Sequence, residues 1–521
     1  MSYDCFCRSY SCCCHGVSRR KFVKSCGAAV AAAGGLTCAA SLADEPKGKK
    51  ARIALVFMSR RKNSWPFPGF DARGREKEIL NLLKEGCPQI EFIPIVIESS
   101  DDEKKAIAMK DDVDGYLVYF VTLSWSLVGL LRQIGKLGKP MIVADDFLGG
   151  SGAFLCGYSG LLEQNTPAGA VSTTRPDDLV AVARCFADVK KPGTTPASFA
   201  KHCWEVYRET FPKVGKMTCT EDKLKLADIA ECVKEFKKSR FLIVGRGAAG
   251  SERDFLGAKG IDLGFKELKD LYDKVDRDEA KEWADRWSKQ ADEVVDAKPE
   301  WIHKAAALYL ATLGLLKKHG TDTLTSNCLG GFGSGQLPAY PCLGFMQILN
   351  DGGLGVCVAM PDDTLSMLMA RILTGRPGFV SDPALDTSKN QIVYAHCVGT
   401  TKVFGPNGPS NEYRIMTLHN RDPRGACARS LMPSGYMTTS FRTDFARKMM
   451  VIHQAKSVGN LNSQRGCRTQ LIGEVHGDIG RLFDQWAGNR LNWHRVTVYG
   501  NVKEPLVEFG KALGLKIIEE A

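Results

Sequence analysis

Short apolar runs alternate with longer amphipathic stretches after residue 50. The runs at 51–58, 90–97, 114–121 and 139–146 have the length of buried strands. The stretches between them, at 72–86, 101–110 and 125–138, have the length and spacing of helices. Strands that alternate with helices of this length predict βαβ units on a parallel sheet. The pattern therefore predicts a first doubly wound α/β domain at about 44–150.

The rest of the chain divides into a helix-rich and a strand-rich part. Helical stretches at 197–211, 223–239, 278–295 and 300–318, with a strand at 240–245, predict a second α/β domain at 151–335. Apolar runs at 391–398, 412–419, 448–455, 469–475 and 493–500, separated by Gly and Pro turns, predict a mostly antiparallel domain at 336–521. The predicted fold is α/β, with two doubly wound domains followed by a β-rich C-terminal domain.

The N-terminus has the pattern of an export signal. Arg19 and Arg20 lie in the twin-arginine context Ser-Arg-Arg-Lys-Phe-Val-Lys, and a mild Ala- and Gly-rich run follows. Ser41 and Ala43 form a small-x-small cleavage site. We therefore expect residues 1–43 to be a twin-arginine signal peptide, removed on export to a bacterial periplasm. The alternative is a basic N-terminal tail on a cytosolic protein.

Composition narrows the classes of function. The chain of 521 residues is 44% hydrophobic and 25% charged, which is typical of a globular protein. Its 70 Lys and Arg against 59 Asp and Glu form no basic run, which argues against nucleic acid as a partner. Seven of the 19 cysteines precede residue 44, and the other 12 have no CxxC spacing, so we expect buried thiols rather than a disulfide framework. No segment after the signal has the length and hydropathy of a stable membrane span.

The segment 341–382 carries the most specific pattern. Its markers are Pro341-Cys342, Asn350-Asp351, Cys357, the turn Gly375-Arg376-Pro377, and Asp382 seven residues after that Gly. These positions resemble the C-terminal half of the L-fucose/L-arabinose isomerase superfamily, and His494 before an apolar strand fits the family's C-terminal metal-binding histidine. The resemblance covers nearly the whole chain after residue 43 but is specific only in the last third.

The resemblance implies metal-assisted aldose–ketose isomerisation of a sugar by a homo-oligomer. In the family a divalent cation, usually Mn²⁺, polarises two sugar oxygens while carboxylates move a proton through an enediol. Asp382 and His494 match two of the three metal ligands. The third, a glutamate, falls on Val358, and the aspartate two residues later falls on Met360. A valine cannot bind a metal or carry a proton, so the cation site is expected to be degenerate and the cation is expected to be Mn²⁺, another divalent ion, or lost.

Three acids are candidates to replace the missing glutamate in catalysis beside Asp382. Asp362 and Asp363 lie close to Val358 within this segment. An Asp-Asp-Thr before an apolar helix is also typical of a helix start, and that capping role is the favoured interpretation. Glu474 and His476 share one strand face by the period of two, or else end that strand before a turn. Asp382 itself could be a turn former.

Two other features have competing interpretations. Gly245–Gly250 reads G-x-G-x-x-G after a strand and could hold a nucleotide pyrophosphate, which keeps an NAD-dependent oxidoreductase as a second alternative. The poor helix pattern after it and the early position of Asp262 weaken that alternative. His396 lies in an alternating apolar strand, where buried packing is favoured over ligation. The first alternative to an isomerase is a non-catalytic or repurposed exported carbohydrate-binding protein, which Val358 favours.

Overall fold

The computed structural model describes residues 50–59, 65–418, 422–489 and 493–521, and the predicted signal peptide at 1–43 lies outside them. Lys50–Ala521 form one compact unit. Within the described residues no helix combines the length and apolar character that a bilayer crossing requires.

The first sheet is parallel throughout, as the alternation of runs predicts. Its strands are β1 (Ala51–Met58), β2 (Ile90–Ile97), β3 (Gly115–Phe120), β4 (Met141–Asp145) and β5 (Gly169–Val171), in the order β2-β1-β3-β4-β5. The helices of this part are α1 (Ala72–Gly86), α2 (Glu103–Ala108), α3 (Val128–Gly135), α4 (Ser151–Glu163), α5 (Pro176–Ala183) and α6 (Pro196–Glu209). The β3 strand is buried along its whole length, which explains its uninterrupted apolar run. Strand β5 follows residue 150, so the first sheet continues beyond the predicted first domain.

The second sheet is built from the middle of the chain. Its strands are β6 (Arg240–Val244), β7 (Glu252–Phe255), β8 (Ala258–Leu263), β10 (Thr323–Ser326) and β11 (Leu354–Cys357), in the order β11-β10-β6-β8-β7. Only β7 runs antiparallel to its neighbour. The helices are α7 (Ile229–Lys238), α8 (Phe265–Tyr272), α9 (Arg277–Gln290), α10 (Pro299–His319), α11 (Cys328–Gly333), α12 (Cys342–Asn350) and α13 (Pro361–Thr374). Strand β9 (Glu293–Val294) instead joins β14 (Tyr413–Met416) and β15 (Cys427–Ser430) in a small separate sheet.

The C-terminal part closes into a barrel. Its strands are β12 (Phe379–Asp386), β13 (Gln391–His396), β16 (Met437–Asp444), β17 (Met449–Asn460), β18 (Thr469–Val475), β19 (Arg495–Tyr499) and β20 (Lys516–Glu519). The order is β16-β19-β12-β13-β18-β17-β20, and a further pairing of β16 with β17 closes the ring. Two helices, α14 (Ile479–Asn489) and α15 (Lys503–Ala512), complete this part. The predicted fold class is therefore confirmed: two sheets of mainly parallel strands with helices, then a β-rich C-terminal part.

Both α/β parts share apolar cores with the barrel. Phe154 of α4 belongs to one cluster with Tyr394 of the barrel, and Leu365 of α13 belongs to another with Phe441. Helices of both α/β parts cover the outside of the barrel, so the barrel strands carry apolar residues on both faces. The barrel strands that hold polar groups are consequently positioned by packing from both directions.

Candidate functional site

Three barrel strands bring together the two predicted metal ligands. Asp382 lies in β12 opposite Ala395 of β13, and Ser381 lies opposite Arg495 of β19. This register sets His494 beside Asp382, with the imidazole Nε2 3.0 Å from the carboxylate Oδ1. The two residues are 112 positions apart in the sequence, so strand pairing, not local structure, makes the contact.

His396 completes the group. The ligand atoms of Asp382, His396 and His494 all lie within 4.8 Å of one another, and this is the group of potential metal ligands found among the described residues. His396 Nδ1 is buried and has no hydrogen-bond partner among the described residues, while the buried Asp382 Oδ1 has only its contact with His494. An unpaired buried polar atom is costly, so the unpaired His396 Nδ1 beside a second imidazole and a carboxylate fits a site built for a cation. Burial lowers the pKa of His396, which keeps the imidazole neutral, the form that binds metal.

A buried carboxylate orients His494. His494 Nδ1 lies 2.6 Å from Asp363 Oδ2, and Arg442 Nε donates to Asp363 Oδ1 at 2.8 Å. A metal-binding histidine ordinarily donates its second ring N–H to such a carboxylate, which fixes the tautomer and turns the other nitrogen toward the ion. Burial opposes charge on both partners, but their attraction and hydrogen bond prevail. Together with Asp382 they raise the pKa of His494 to about 10, and they hold the pKa of Asp363 below its usual range. Without an ion, His494 is therefore a cation between two carboxylates, and a metal would have to displace the proton on Nε2.

Asp362 and Asp363 lie at a helix start, as predicted, but neither of them is the capping residue. Both lie in the first turn of α13, where their charge suits the helix dipole, but the N-cap is Met360 and it makes no side-chain capping bond. Asp362 Oδ1 accepts from the backbone N–H of Phe445 at 3.0 Å, and burial raises its pKa. Asp362 therefore anchors the helix to the barrel, while Asp363 supports His494 from behind.

Glu474 is not brought to this group. It lies opposite Gln391 in the pairing of β13 with β18, whereas His396 at the other end of β13 lies opposite Thr469. Five strand residues separate the two ends, or roughly 17 Å at the usual rise. His476, two residues beyond Glu474, is exposed. The structure thus offers no support for Glu474 as the substitute acid.

Val358 occupies a strained backbone position. Its φ is 60° and that of Ala359 is 50°, a left-handed conformation that a β-branched residue rarely adopts. The kink is held by a hydrogen bond from Ala359 N to Ser326 O at 3.0 Å and by Arg246 Nη1 donating to Ala359 O at 3.0 Å. Strain of this kind costs about 1–3 kcal/mol and is retained chiefly at functional sites. Val358 thus lines the cavity from a strained backbone position although its side chain is apolar.

The three potential ligands open into a cavity of about 340 Å³, which we call the central cavity. Trp65, Trp125 and Trp493 contribute indole rings to its lining, and Trp125 remains 46% exposed. Buried thiols that form no disulfide contribute another part, from Cys328, Cys342, Cys357, Cys397 and Cys467. Asp382 is the carboxylate of the described lining. Aromatic surface beside a few polar groups suits a small polar ligand with an apolar face, such as a sugar ring.

The glycine-rich turn does not have the geometry of a nucleotide site. After β6 and Gly245–Gly250 the chain enters the hairpin β7–β8, so the turn does not lead into a helix as the dinucleotide motif requires. Asp262 accepts from Arg253 Nη2 at 2.6 Å and from Ser251 Oγ at 2.7 Å, which occupies it within the hairpin. The pyrophosphate site that the motif would need is therefore not formed by these residues.

A Gly152→Ala substitution is expected to disturb the central cavity from outside. A Cβ on this helical glycine would lie 2.4 to 2.5 Å from ring carbons of Trp493, whose Nε1 donates to Pro383 O at 2.7 Å. The indole must shift, at about 1–3 kcal/mol, and the melting temperature and any ligand affinity of the cavity should fall together. Gly129→Ala is the matched control, because its Cβ would meet nothing within 4 Å. An unchanged melting temperature in Gly152→Ala would contradict this packing.

Comparison with known proteins agrees at a coarse level. Over 277 residues the chain is 22% identical to the sulfoquinovose isomerases of Priestia aryabhattai and of Priestia megaterium. The match spans 52% of this chain and 60% of each relative, so it covers less than two thirds of their length. No family model matches the sequence. The chain thus has the fold predicted from its sequence and a distant similarity to sugar isomerases.

Proposed function

We propose that the protein is a sugar isomerase-like enzyme that interconverts an aldose and a ketose in the central cavity with a bound divalent cation. The observation that carries the proposal is the convergence of Asp382, His396 and His494, with the buried His396 Nδ1 unpaired. The distant similarity to sulfoquinovose isomerases supports the reaction class. Sulfoquinovose is accordingly the first sugar to test.

The residues fit a cation. Two imidazoles and one carboxylate form a donor set that suits first-row divalent ions such as Mn²⁺, Fe²⁺ and Zn²⁺, and three protein ligands leave positions open for a substrate. His396 thereby supplies a third donor where Val358 cannot. When bound, the ion would polarise the sugar oxygens at C1 and C2 and so make the C2 proton of the aldose more acidic.

The chain's own groups then hold the sugar and move its proton. Asp382 Oδ1 faces His494, while Oδ2 lies 3.9 Å from Cys467 Sγ and is the carboxylate oxygen left to take a proton from one carbon and return it to the other. Asp363 keeps His494 oriented and does not touch the substrate. The indole rings of Trp125 and Trp493 pack on the apolar face of the sugar and exclude water.

Val358 supports a second candidate, a carbohydrate-binding protein without turnover. The loss of one carboxylate removes both charge and a proton carrier from the site. A binder needs only the aromatic lining and the polar groups that orient a sugar.

One experiment separates the two candidates. Purified protein is analysed for bound metal, then incubated with sulfoquinovose and a panel of aldoses in ²H₂O, and NMR follows loss of the C2 proton. We expect stoichiometric metal, and exchange that a chelator stops and Mn²⁺ or Zn²⁺ restores. Sugar-dependent thermal stabilisation without exchange would instead favour the binder. If the protein shows no bound metal, no exchange and no stabilisation by sugars, both candidates are contradicted.

Export by the twin-arginine route and assembly into a homo-oligomer are also proposed, from the sequence pattern and the family resemblance respectively. A twin-arginine substrate folds before transport, which would let a cation be loaded first. These two proposals are independent of the chemistry in the central cavity.

A further inference from the structure

A second cavity lies at the carboxyl edge of the first sheet. Its volume is about 320 Å³, and we call it the sheet-edge cavity. It is lined by the ends of β3, β4 and β5, by α1, and by the segment 461–465 that joins β17 to β18. The carboxyl edge of a parallel α/β sheet is where ligands ordinarily bind. None of the potential metal ligands lines this cavity.

Two arginines in the lining share a single buried carboxylate. Asp146 Oδ1 accepts from Arg75 Nε at 2.8 Å, and Oδ2 accepts from Arg465 Nη1 at 2.7 Å, with the Asp146 side chain fully buried. Arg75 also pairs with Glu78, but that side chain is 68% exposed and well screened. Arg75, Arg465 and Asp146 therefore carry one positive charge in excess before Asp145, the other buried carboxylate of the lining, is counted, and their guanidinium forks match a carboxylate.

Asp145 offers a different contact in the same cavity. Its side chain is buried, Oδ2 accepts from Ser151 Oγ at 2.5 Å, and Oδ1 has no hydrogen-bond partner among the described residues. An unpaired buried acceptor is costly unless a donor from a ligand or water satisfies it. Burial raises the pKa of Asp145 to about 7, which reduces its repulsion of an anion near neutral pH. Thr173 and Ser463 bring hydroxyl groups to the lining.

We propose that the sheet-edge cavity binds a small polyhydroxylated carboxylate, that is, a sugar acid. Its carboxylate lies against the guanidinium groups of Arg75 and Arg465, and one of its hydroxyls donates to Asp145 Oδ1. The excess positive charge favours the carboxylate of the ligand, and the unpaired acceptor favours one of its hydroxyl groups. This site is separate from the proposed isomerase site and does not rest on it.

The two cavities share a wall. Arg465 lines the sheet-edge cavity, and Cys467, two residues further on, lines the central cavity and contacts Asp382. Ser151, the partner of Asp145, borders a small space that Asp382 also lines. An occupant of the sheet-edge cavity therefore contacts the segment that borders the proposed metal ligands.

Three probes of similar size dissect the proposed contacts by titration calorimetry on chelator-treated protein. D-Gluconate carries both the carboxylate and the hydroxyls, sorbitol carries hydroxyls alone, and hexanoate carries the carboxylate alone. We expect saturable one-to-one binding of gluconate, with sorbitol and hexanoate weaker by about tenfold or more, because each loses one class of contact. Equal binding of sorbitol and gluconate, or no saturable binding of gluconate, would overturn the proposal.

Variants locate the site. Arg465→Gln should weaken gluconate binding by about ten- to hundredfold, as expected for loss of a charged hydrogen-bond donor. Asp145→Asn changes few atoms and tests the second contact. It keeps the proposal testable if Arg465→Gln does not fold. Arg447→Gln, an exposed arginine paired with Asp444, is the matched control and should bind as the wild type does. Asp382→Asn should also bind normally, and weaker binding there would assign gluconate to the central cavity and overturn the proposal.

Discussion

An Asp382→Asn variant is expected to lose the bound cation and, with it, isomerase turnover. The amide keeps the size of the carboxylate but removes its charge, and Asn cannot take the proton that the proposed reaction moves. Because removal of a supporting partner alone typically costs 10- to 100-fold in metal affinity, loss of a ligand should cost about 100-fold or more. Metal content after dialysis and C2 proton exchange measure the two effects.

Two further variants make this test specific. Glu474→Gln should retain metal and exchange, since Glu474 lies at the far end of its strand from His396. Asp363→Asn should lower metal affinity by about 10- to 100-fold, an effect between those of Glu474→Gln and Asp382→Asn. It removes the group that orients His494 but does not remove a ligand. If Asp382→Asn keeps metal and turnover as Glu474→Gln does, the proposed cation site is wrong.

A Glu520→Gln variant is expected to destabilise the fold by about 3–5 kcal/mol, the usual cost of removing one partner from a buried ion pair. Glu520 Oε1 accepts from Arg495 Nη2 at 2.5 Å, and its Oε2 lies 2.8 Å from His453 Nδ1. Glu520 and Arg495 are almost fully buried, and the Arg495 guanidinium lies 3.6 Å from the centre of the Trp486 ring. The amide would leave that guanidinium buried without a counter-charge. Urea unfolding at neutral pH measures the loss.

The same pair predicts the direction of acid sensitivity. Burial opposes ionisation of Glu520, but Arg495 and His453 outweigh it and lower the pKa from 4.5 to about 2. A depressed pKa contributes stability above the unfolded value of 4.5, and this contribution is lost as pH falls toward 2. The stability gap between wild type and Glu520→Gln should therefore narrow through that range.

Glu519→Gln is the matched control for this prediction. Glu519 is the neighbouring residue, and its pair with Lys503 involves a side chain that is 45% exposed. Its loss should change the free energy of unfolding by within about 0.5 kcal/mol. A similar loss in both variants, or a constant gap across pH, would contradict a buried pair at Glu520.

The sequence predicts two of the three potential metal ligands, Asp382 and His494, but not His396. The Gly-Arg-Pro turn and the apolar strand near the C-terminus identify Asp382 and His494, and the structure brings them within 3.0 Å. Their role as ligands stays a prediction. His396 was assigned to packing because an alternating strand does not reveal what lies beyond its end.

Asp363 and Glu474 illustrate the limit from opposite sides. Local pattern assigned Asp363 to helix capping, yet its partners are Arg442 and His494, 79 and 131 residues away. The spacing of Glu474 and His476 suggested a pocket, yet strand register puts Glu474 opposite Gln391. In both cases the deciding quantity is which strands pair and in which register, and side-chain periodicity within one segment does not contain it.

Apolar periods and Gly and Pro turns are local properties, so the sequence predicted the order and type of many strands and helices, although not of β7, β8 or β16. The family resemblance added that Val358 stands where a metal-binding glutamate would be expected. Three contacts emerge only from the folded chain: β16 pairs with β17 to close a barrel, His396 joins Asp382 and His494, and two arginines share Asp146 beneath a second cavity. These contacts join residues far apart in the chain, and they form because burial of a common core fixes the strand order and register.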